Sequence, residues 1–278
     1  VGTAAGGAVG LTGTPEDVGL HGIGGIGKSV LAAALATDDR VRRRFPDGVF
    51  WVTVGERPDV LALQLDLLSR LGVRPEARTR AEATQALRSV LVDRRVLLVV
   101  DDVWSADDAQ DFRVTGPHGR LVYTSRDEAA VVAAGAMARR VGVLSPDAAR
   151  TLAAEVLGVP AATLPAAADQ AFAAVGHVPL AVALLAAAVR GRQEWGRQEW
   201  GQDSHLSRSS WVSVAADLAR DADVYGTHPY ATTFRALHIA VAALTDDLRA
   251  ALLGLAVFPP DTAVPVAAIA RYWAHTRG

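Results

Sequence analysis

Hydrophobic and polar positions in the first half of the chain follow two kinds of pattern. One is a short apolar run, of which 96–100, all valine or leucine, is the clearest and is typical of a strand buried on both faces. The other is a stretch such as 60–71, where leucines recur at helical spacing on one face. The predicted strands are 18–21, 48–54, 96–100, 121–124 and 140–143, and the predicted helices between them are 29–36, 60–71 and 80–92. This alternation predicts an α/β fold with a five-stranded parallel sheet.

After Ser145-Pro146 the chain shows helical patterning only. Ser145 is a typical N-cap residue for the first of these helices. The predicted helices are 147–157, 165–175 and 179–190, followed by helical segments that begin near Trp211, Phe234, Leu248 and Val264. A small helical domain therefore follows the α/β domain.

A tandem repeat interrupts the helical half of the chain. Gly-Arg-Gln-Glu-Trp occupies 191–195 and again 196–200, ahead of a polar stretch that contains several serines. A unit of five residues is far shorter than the roughly 20 to 50 residues of a solenoid repeat. We interpret the repeat as a local duplication without chemistry of its own, in a linker or insertion at 191–210.

Length and composition narrow the possible classes of protein. At 278 residues, half of them hydrophobic, the chain is long enough for two or three compact units. The absence of cysteine excludes disulfides, thiolate nucleophiles and cysteine-built metal sites, and it fits a cytoplasmic location. Seven scattered histidines form no metal-binding pattern, and no apolar run reaches the roughly 18 residues of a membrane span. Because its last domain looks unfinished, we expect the chain to be part of a longer protein.

The formal charge of −2 gives no overall attraction to nucleic acid or to an anionic membrane. One local basic cluster is formed by Arg40, Arg42, Arg43 and Arg44. We interpret it as a solvated face that complements a helix dipole, with a nucleic-acid patch as the alternative.

Residues 22–29 have the spacing Gly-x-x-x-x-Gly-Lys-Ser of a phosphate-binding loop. The glycines let the backbone curl so that successive N–H groups face phosphate oxygens. Lys28 is predicted to reach the β- and γ-phosphates, and Ser29 is predicted to ligate magnesium. The preceding strand and the following helix are the context that the motif requires, which argues against a chance match. The sequence therefore predicts binding of a purine nucleotide together with Mg²⁺.

Two further strand ends place polar groups at the same edge of the predicted sheet. Asp101 ends the apolar run at 96–100, where a carboxylate can hold magnesium opposite Ser29, although it could instead cap the next turn. Asp102 could polarise an attacking water, or it could be structural. Arg126 follows the strand at 121–124 and can reach a γ-phosphate, unless it is only a surface arginine. Hydrolysis is thus a weaker expectation than binding.

Five motifs in order resemble the NB-ARC family of STAND-class switch ATPases, which includes apoptotic, plant disease-resistance and bacterial regulatory proteins. They are the loop at 22–29, Phe-Pro-Asp-Gly-Val-Phe-Trp-Val at 45–52, Leu-Leu-Val-Val-Asp-Asp-Val-Trp at 97–104, Thr-Ser-Arg at 124–126 and Gly-His-Val-Pro-Leu-Ala at 176–181. Leu-Ala-Val-Phe-Pro at 255–259 and the apolar residues after it resemble the start of the family's winged-helix domain. The resemblance covers about residues 18 to 278, without the family's Gly-Arg-Glu and Met-His-Asp motifs.

The resemblance implies a role for each matching residue. Arg126 would sense the γ-phosphate, and Pro179 would touch the adenine, although Pro179 also suits the first turn of a helix. The residues expected to act in catalysis are Asp102, Lys28 and Arg126. The residues expected to contact the nucleotide are Gly24, Gly25, Ile26, Gly27, Lys28, Ser29, Val30, Arg126, Pro179 and Leu180. Those expected at the metal are Ser29 and Asp101.

The resemblance also implies an order of domains. A nucleotide-binding α/β domain at 18–144 follows an N-terminal segment at 1–17. The helical domain occupies 145–190 and resumes at 211–230 after the linker or insertion. A partial winged-helix domain is expected at 231–278.

The function implied is that of an ADP- and ATP-binding switch in a signalling or regulatory protein. It would be closed with ADP, opened for self-oligomerisation by ATP, and would hydrolyse ATP slowly, acting with sensor and effector domains outside this chain and without membrane or nucleic-acid contact. A small-molecule or nucleotide kinase stays open as an alternative, since a phosphate loop also serves phosphoryl transfer to an acceptor. A DNA-binding regulator is a further alternative, although the segment from Val264 onward carries only Arg271 and Arg277 as basic residues.

Overall fold

The computed structural model describes residues 17–74, 76–200, 208–220, 228, 230–259 and 264–277. These residues belong to two compact units, one within Gly7–Gly142 and the other within Val143–Gly278. The predicted N-terminal segment at 1–17 lies outside the described residues except for Asp17.

The first unit alternates strands with helices. Its strands are β1 (Val18–His21), β2 (Val49–Thr53), β3 (Leu97–Val103), β4 (Arg120–Ser125) and β5 (Met137–Arg140). Its helices are α1 (Lys28–Thr37), α2 (Asp39–Arg44), α3 (Val60–Arg70), α4 (Arg80–Leu91), α5 (Ala106–Asp111) and α6 (Glu128–Ala133). The predicted α/β class is confirmed.

The five strands form one sheet in the order β2-β3-β4-β1-β5, and every neighbouring pair is parallel. Successive residues of β3 enter different cores: Leu98 and Val100 pack in one buried cluster, and Leu97 and Val99 pack in another. Strand β3 is therefore covered on both faces, as its continuous apolar run predicts. Because β3, β4 and β1 are adjacent and parallel, their carboxyl ends lie side by side at one edge of the sheet.

Four elements of the first unit differ from the sequence prediction: the strand β5 and the helices α2, α5 and α6, which were not predicted. Strand β5 ends at Arg140, the residue at which the predicted strand begins. It is an edge strand that pairs only with β1, and its residues Arg139 and Arg140 are exposed. Such a strand lacks the apolar pattern by which a buried one is recognised. The arginine cluster forms the separate helix α2, whose N-cap Asp38 accepts a hydrogen bond from the backbone N–H of Arg40.

The second unit is built from helices in its described part. They are α7 (Pro146–Leu157), α8 (Ala166–Ala174), α9 (Pro179–Trp200), α10 (Arg208–Arg220), α11 (Ala231–Ala242), α12 (Asp246–Gly254) and α13 (Val266–Arg277). Trp211 of α10 is fully buried and meets Phe172 of α8 edge to face, with 5.3 Å between ring centroids. Arg150 of α7 donates hydrogen bonds to the Asp169 carboxylate and to the carbonyl oxygens of Ala161 and Leu164. These contacts join the helices around one core.

Helix α9 is longer than its predicted extent of 179–190, because it continues to Trp200 and includes both copies of the five-residue repeat. Arginine, glutamine and glutamate are good helix formers, so two glycines do not end the helix. The structure thus differs from the linker interpretation over 191–200, while 201–207 lie outside the described residues.

The predicted start of the winged helix corresponds to α12, a 3₁₀ turn at Leu255–Val257 and α13. Its assignment as a winged helix stays a prediction. None of the helices in the described ranges combines the length and apolar character that a membrane span requires.

Candidate phosphate-binding site

The loop between β1 and α1 has the backbone conformation that its glycines permit. Gly25 and Gly27 have φ angles of 78° and 93°, values that residues with a side chain rarely adopt. A Cβ added to Gly27 would meet no atom within 4 Å, so space is open on this side of the loop. The side chain of Ile26 is buried. The loop therefore combines glycine-specific backbone turns with open space beside Gly27, which fits a phosphate-binding loop.

Helix α1 begins without a side-chain cap. Its N-cap residue is Gly27, which offers no side-chain acceptor to the first amides of the helix. In contrast, an Asp, Ser or Thr side chain caps each of the other described helices of this unit, α2 to α6. The first N–H groups of a helix need acceptors, and the helix dipole favours a negative one. The start of α1 thus fits an anion.

Lys28 lies at this helix start with its ammonium held by the loop. Its Nζ donates hydrogen bonds to the carbonyl oxygens of Gly22 at 2.8 Å and Ile23 at 3.1 Å. An ammonium has three protons, so one more bond can be made to a phosphate oxygen. Burial lowers the pKa of Lys28 and the charge of Arg126 lowers it further, whereas Asp102 and Asp101 oppose this shift. A bound anion would favour the charged form of Lys28.

The Asp101 carboxylate is the centre of a hydrogen-bond network. Its Oδ1 accepts from Ser29 Oγ at 2.7 Å and from Thr124 Oγ1 at 2.5 Å. Thr124 Oγ1 in turn accepts from the backbone N–H of Asp102 at 2.9 Å. Three structural elements, β3, β4 and α1, are thus tied together through one carboxylate that is itself buried.

Strand β3 carries an irregularity at Asp101 and Asp102. Val100 pairs with Tyr123 and Val103 pairs with Ser125, so three steps along β3 match two along β4. Asp102 accommodates the extra residue with a φ of 55°, a left-handed value that costs a non-glycine residue free energy. In a regular strand, two neighbouring side chains would point to opposite faces. Here both carboxylates act electrostatically on Lys28.

Arg126 is the first residue after β4, and its guanidinium carbon lies 4.7 Å from the ring centroid of Trp104, the first residue after β3. Its charge also acts on Lys28. The predicted sensor residue is therefore placed at the edge of the sheet that carries the loop and the two acids.

The residues present fit magnesium bound together with a phosphate. A hydroxyl and a carboxylate, those of Ser29 and Asp101, are oxygen donors of the kind that Mg²⁺ prefers, and Mg²⁺ usually keeps only one or two protein carboxylates beside waters and phosphates. Within the described ranges, no group of three or more His, Cys, Asp or Glu side chains is arranged to hold a metal on its own. A site completed by phosphate oxygens is consistent with this donor set.

The remaining predicted site residues are placed as follows. Gly24 lies in the loop, and Val30 is exposed in the first turn of α1. Pro179 and Leu180 begin α9 in the second unit, after Gly176 and His177, whose φ angles of 59° and 55° turn the chain out of α8. Their contact with the adenine stays a prediction.

Two residues of the site were not assigned by sequence reasoning. Thr124 and Trp104 stand inside quoted motifs, but nothing in the sequence alone shows that Thr124 bonds Asp101 or that Trp104 stacks on Arg126. Regular strand register could have indicated the first contact, because it places Thr124 opposite Asp101, whereas the second contact requires the extra residue in β3.

A parallel sheet of this kind, with a phosphate-binding loop after β1 and an acid at the end of β3, defines a P-loop NTPase. Residues 11–159, more than half of the chain, match the family described as the NB-ARC domain. The chain therefore belongs to the NB-ARC family and is a nucleotide-binding protein of the STAND class, as the five motifs predicted.

Its curated relatives are much longer proteins. Apoptotic protease-activating factor 1 of Danio rerio is 36% identical over 132 residues, which cover 43% of this chain and 10% of the relative. The Homo sapiens protein of the same name is 34% identical over 128 residues, covering 42% and 10%. Probable disease resistance RPP8-like protein 2 of Arabidopsis thaliana is 36% identical over 117 residues, covering 40% and 13%. The matches thus span only about a tenth of these relatives.

Among solved structures, a STAND protein with a tetratricopeptide repeat sensor from Pyrococcus horikoshii aligns with a TM-score of 0.44 and 14% identity. The alignment covers 88% of this chain and 44% of that one. The Aeropyrum pernix Orc1 protein, solved in complex with DNA, aligns with a TM-score of 0.45 and 16% identity, covering 95% and 72%.

Proposed function

We propose that this chain is the ADP/ATP switch of a STAND-type signalling or regulatory protein. ADP with magnesium holds it closed, ATP opens it for self-oligomerisation, and slow hydrolysis returns it to the ADP state. Its location is cytoplasmic. Sensor and effector domains outside this chain would supply the signal and the output.

The network around Asp101 is the observation that carries this proposal. It joins the first turn of α1, through Ser29, to the ends of β3 and β4. The groups proposed to face a β- or γ-phosphate are thus connected by hydrogen bonds. Arg126 at the end of β4 adds a cation that a third phosphate could recruit. Magnesium, when bound, would neutralise part of the phosphate charge at Ser29 and Asp101.

The energetics of such a switch are feasible. Inverting an equilibrium from 1:99 to 99:1 requires about 5.5 kcal/mol of differential binding. Hydrogen bonds to charged groups contribute about 1.5–3 kcal/mol each. Two bonds near the upper end of this range, or three of about 2 kcal/mol, that only a γ-phosphate can accept would be sufficient, with Arg126 and Lys28 among the donors. Total affinity for the nucleotide does not decide the outcome, because only the difference between the two states shifts the equilibrium.

Analysis of the co-purified nucleotide tests the closed state. Protein purified without added nucleotide should release ADP when it is denatured and analysed by ion-exchange chromatography. Lys28→Ala should remove this ADP, because the variant loses the ammonium that contacts the phosphates. Folded, nucleotide-free wild type that neither binds nor requires ADP would contradict the proposal.

Turnover assays test the assignment of the acids. Asp102→Ala should bind nucleotide and hydrolyse it more slowly, whereas Asp101→Ala should lose the magnesium dependence of binding. Equal turnover in Asp102→Ala and wild type would remove the catalytic role of Asp102. Strong stimulation of turnover by one small metabolite would instead indicate a kinase.

A further inference from the structure

Trp104 is a large aromatic residue placed at the functional edge of the sheet rather than in the core. It follows directly after β3 and is 38% exposed. Large side chains of the first unit such as Tyr123 and Phe112 are fully buried. The position of Trp104 is therefore not explained by packing of the core alone.

Strand register brings Trp104 beside Arg126. Val103 pairs with Ser125, so each of the two residues stands one step beyond the last pair of β3 and β4. With regular pairing continued from Val100 and Tyr123, Val103 would stand opposite Arg126 instead. The extra residue at Asp101–Asp102 is what aligns Trp104 with Arg126. Thr124 holds this irregularity in place, since it accepts from the Asp102 N–H and donates to Asp101.

The contact is a stack of a guanidinium on an aromatic face. The distance of 4.7 Å from the guanidinium carbon to the ring centroid lies within the roughly 6 Å of cation–π attraction. A guanidinium that stacks through its face keeps its N–H groups directed along its edge, where a phosphate can be bound bidentately. A stacked arginine also loses less rotamer freedom on binding a ligand than a mobile one does.

We infer that Trp104 is a positioning residue for Arg126, and that it sets how strongly the site prefers a nucleoside triphosphate over a diphosphate. The stack holds the guanidinium where it faces the phosphate end of the site. The inference rests on the proposed switch, in which Arg126 recognises the γ-phosphate. The charge of Arg126 lowers the pKa of Lys28, which agrees with this placement because it shows that the two cations repel each other.

Binding of ADP and of a non-hydrolysable ATP analogue, measured by titration calorimetry with magnesium, tests the inference. Trp104→Leu should weaken binding of the ATP analogue by roughly two- to fivefold, the size expected for loss of one partly exposed cation–π contact, and leave ADP binding unchanged. Trp104→Tyr keeps an aromatic face and should restore most of the preference. Trp51→Leu is the matched control, since Trp51 lies on the edge strand β2, away from β4, and its indole N–H donates to Thr53.

A double-mutant cycle separates positioning from a structural role. In an Arg126→Gln background, Trp104→Leu should have no further effect on the ratio of the two affinities. Equal weakening of ADP and of the ATP analogue in Trp104→Leu, or an unchanged ratio, would overturn the inference. In addition, the tryptophan emission that is lost in Trp104→Phe should change when the ATP analogue replaces ADP, and an identical emission in both complexes would count against it.

The same cycle distinguishes failure of this inference from failure of the proposed switch. If Arg126→Gln lowers the preference for the ATP analogue but Trp104→Leu does not, Arg126 is the sensor and Trp104 does not position it. If Arg126→Gln leaves the preference unchanged, Arg126 is not the sensor, and the inference about Trp104 fails together with the role that the proposed switch gives to Arg126. Circular dichroism of each variant confirms that the sheet is retained.

Discussion

Replacing Thr124 by valine removes one hydroxyl from the buried centre of the site while keeping the β-branched shape of the side chain. The hydroxyl donates to Asp101 Oδ1 and accepts from the Asp102 N–H. A hydrogen bond to a charged group contributes about 1.5–3 kcal/mol, and an unpaired buried N–H costs about 1–3 kcal/mol. Because Asp102 is only half-buried, the second cost lies near its lower limit. We therefore expect Thr124→Val to lower the free energy of unfolding by about 2–4 kcal/mol.

The same change should weaken magnesium binding at the proposed site, because Thr124 bonds the Asp101 carboxylate that is proposed to hold the metal. Loss of an outer hydrogen-bond partner typically lowers metal affinity by about 10- to 100-fold. Nucleotide binding titrated with magnesium and again with EDTA measures this directly: the difference between the two affinities should shrink in Thr124→Val. Thr124→Ser keeps the hydroxyl and should behave like wild type.

Ser125→Ala is the matched control for Thr124→Val. Ser125 is the next residue of β4 and is also buried, but its hydroxyl donates to the carbonyl oxygen of Val103 rather than to Asp101. It should lose stability in urea denaturation and keep the full magnesium dependence of binding. Thr124→Val protein with wild-type unfolding and wild-type magnesium dependence would refute the reasoning about the Asp101 network.

Three further predictions follow from other contacts. Gly27→Ala should lose nucleotide binding and about 1–2 kcal/mol of stability, because Gly27 has a positive φ. Gly72 also has a positive φ and open space around it, so Gly72→Ala should lose only stability. Equal nucleotide binding by both variants would contradict the assignment of a phosphate-binding loop. Arg150→Met should destabilise the second unit by about 2–3 kcal/mol, because Asp169 and the carbonyl oxygen of Leu164 lose their hydrogen bonds from Arg150 and that of Ala161 keeps only its bond from the Leu164 N–H. Arg190→Met removes one exposed hydrogen bond to the carbonyl oxygen of Val156 and should cost well under 1 kcal/mol in urea denaturation. Because the pKa of Lys28 is lowered in the folded state, the native protein releases the ammonium proton at a lower pH than the unfolded chain does. Between the lowered pKa and the ordinary value of 10.5, wild type should therefore gain stability relative to Lys28→Met as pH rises. A parallel pH dependence of the two unfolding free energies would contradict this.

The parts of the fold that sequence predicted well are those with a strong local signal. Strand β3 has a continuous apolar run, and the loop before α1 has a specific glycine spacing. Both elements lie where the sequence predicts them. Strand β5 has neither signal, since it is a polar edge strand, and its prediction was displaced toward the valines that follow it. The extent of α9 was underestimated because a glycine-containing repeat reads as a linker, although most of its residues favour a helix.

The candidate site residues could be named from the sequence, but their contacts could not. Motif spacing indicates four candidate residues, because each stands at a strand end or a helix start that the sequence marks. They are Lys28, Ser29, Asp101 and Arg126. The extra residue in β3 has no such mark, because a tandem pair of aspartates fits a regular strand end equally well. Trp104 depends on that irregularity for its contact with Arg126, so its role became visible only with the register of β3 against β4. Regular pairing alone would already place Thr124 opposite Asp101.

The left-handed conformation of Asp102 has a consequence for attempts to improve this protein. Glycine adopts that φ without strain, so Asp102→Gly should raise thermal stability while it removes one of the two carboxylates near Lys28. A library selected for heat resistance alone would thus be drawn toward losing this acid. A selection that also demands nucleotide turnover would keep it, and the contrast between the two outcomes would show whether the strained acid is retained for chemistry or for the shape of the strand.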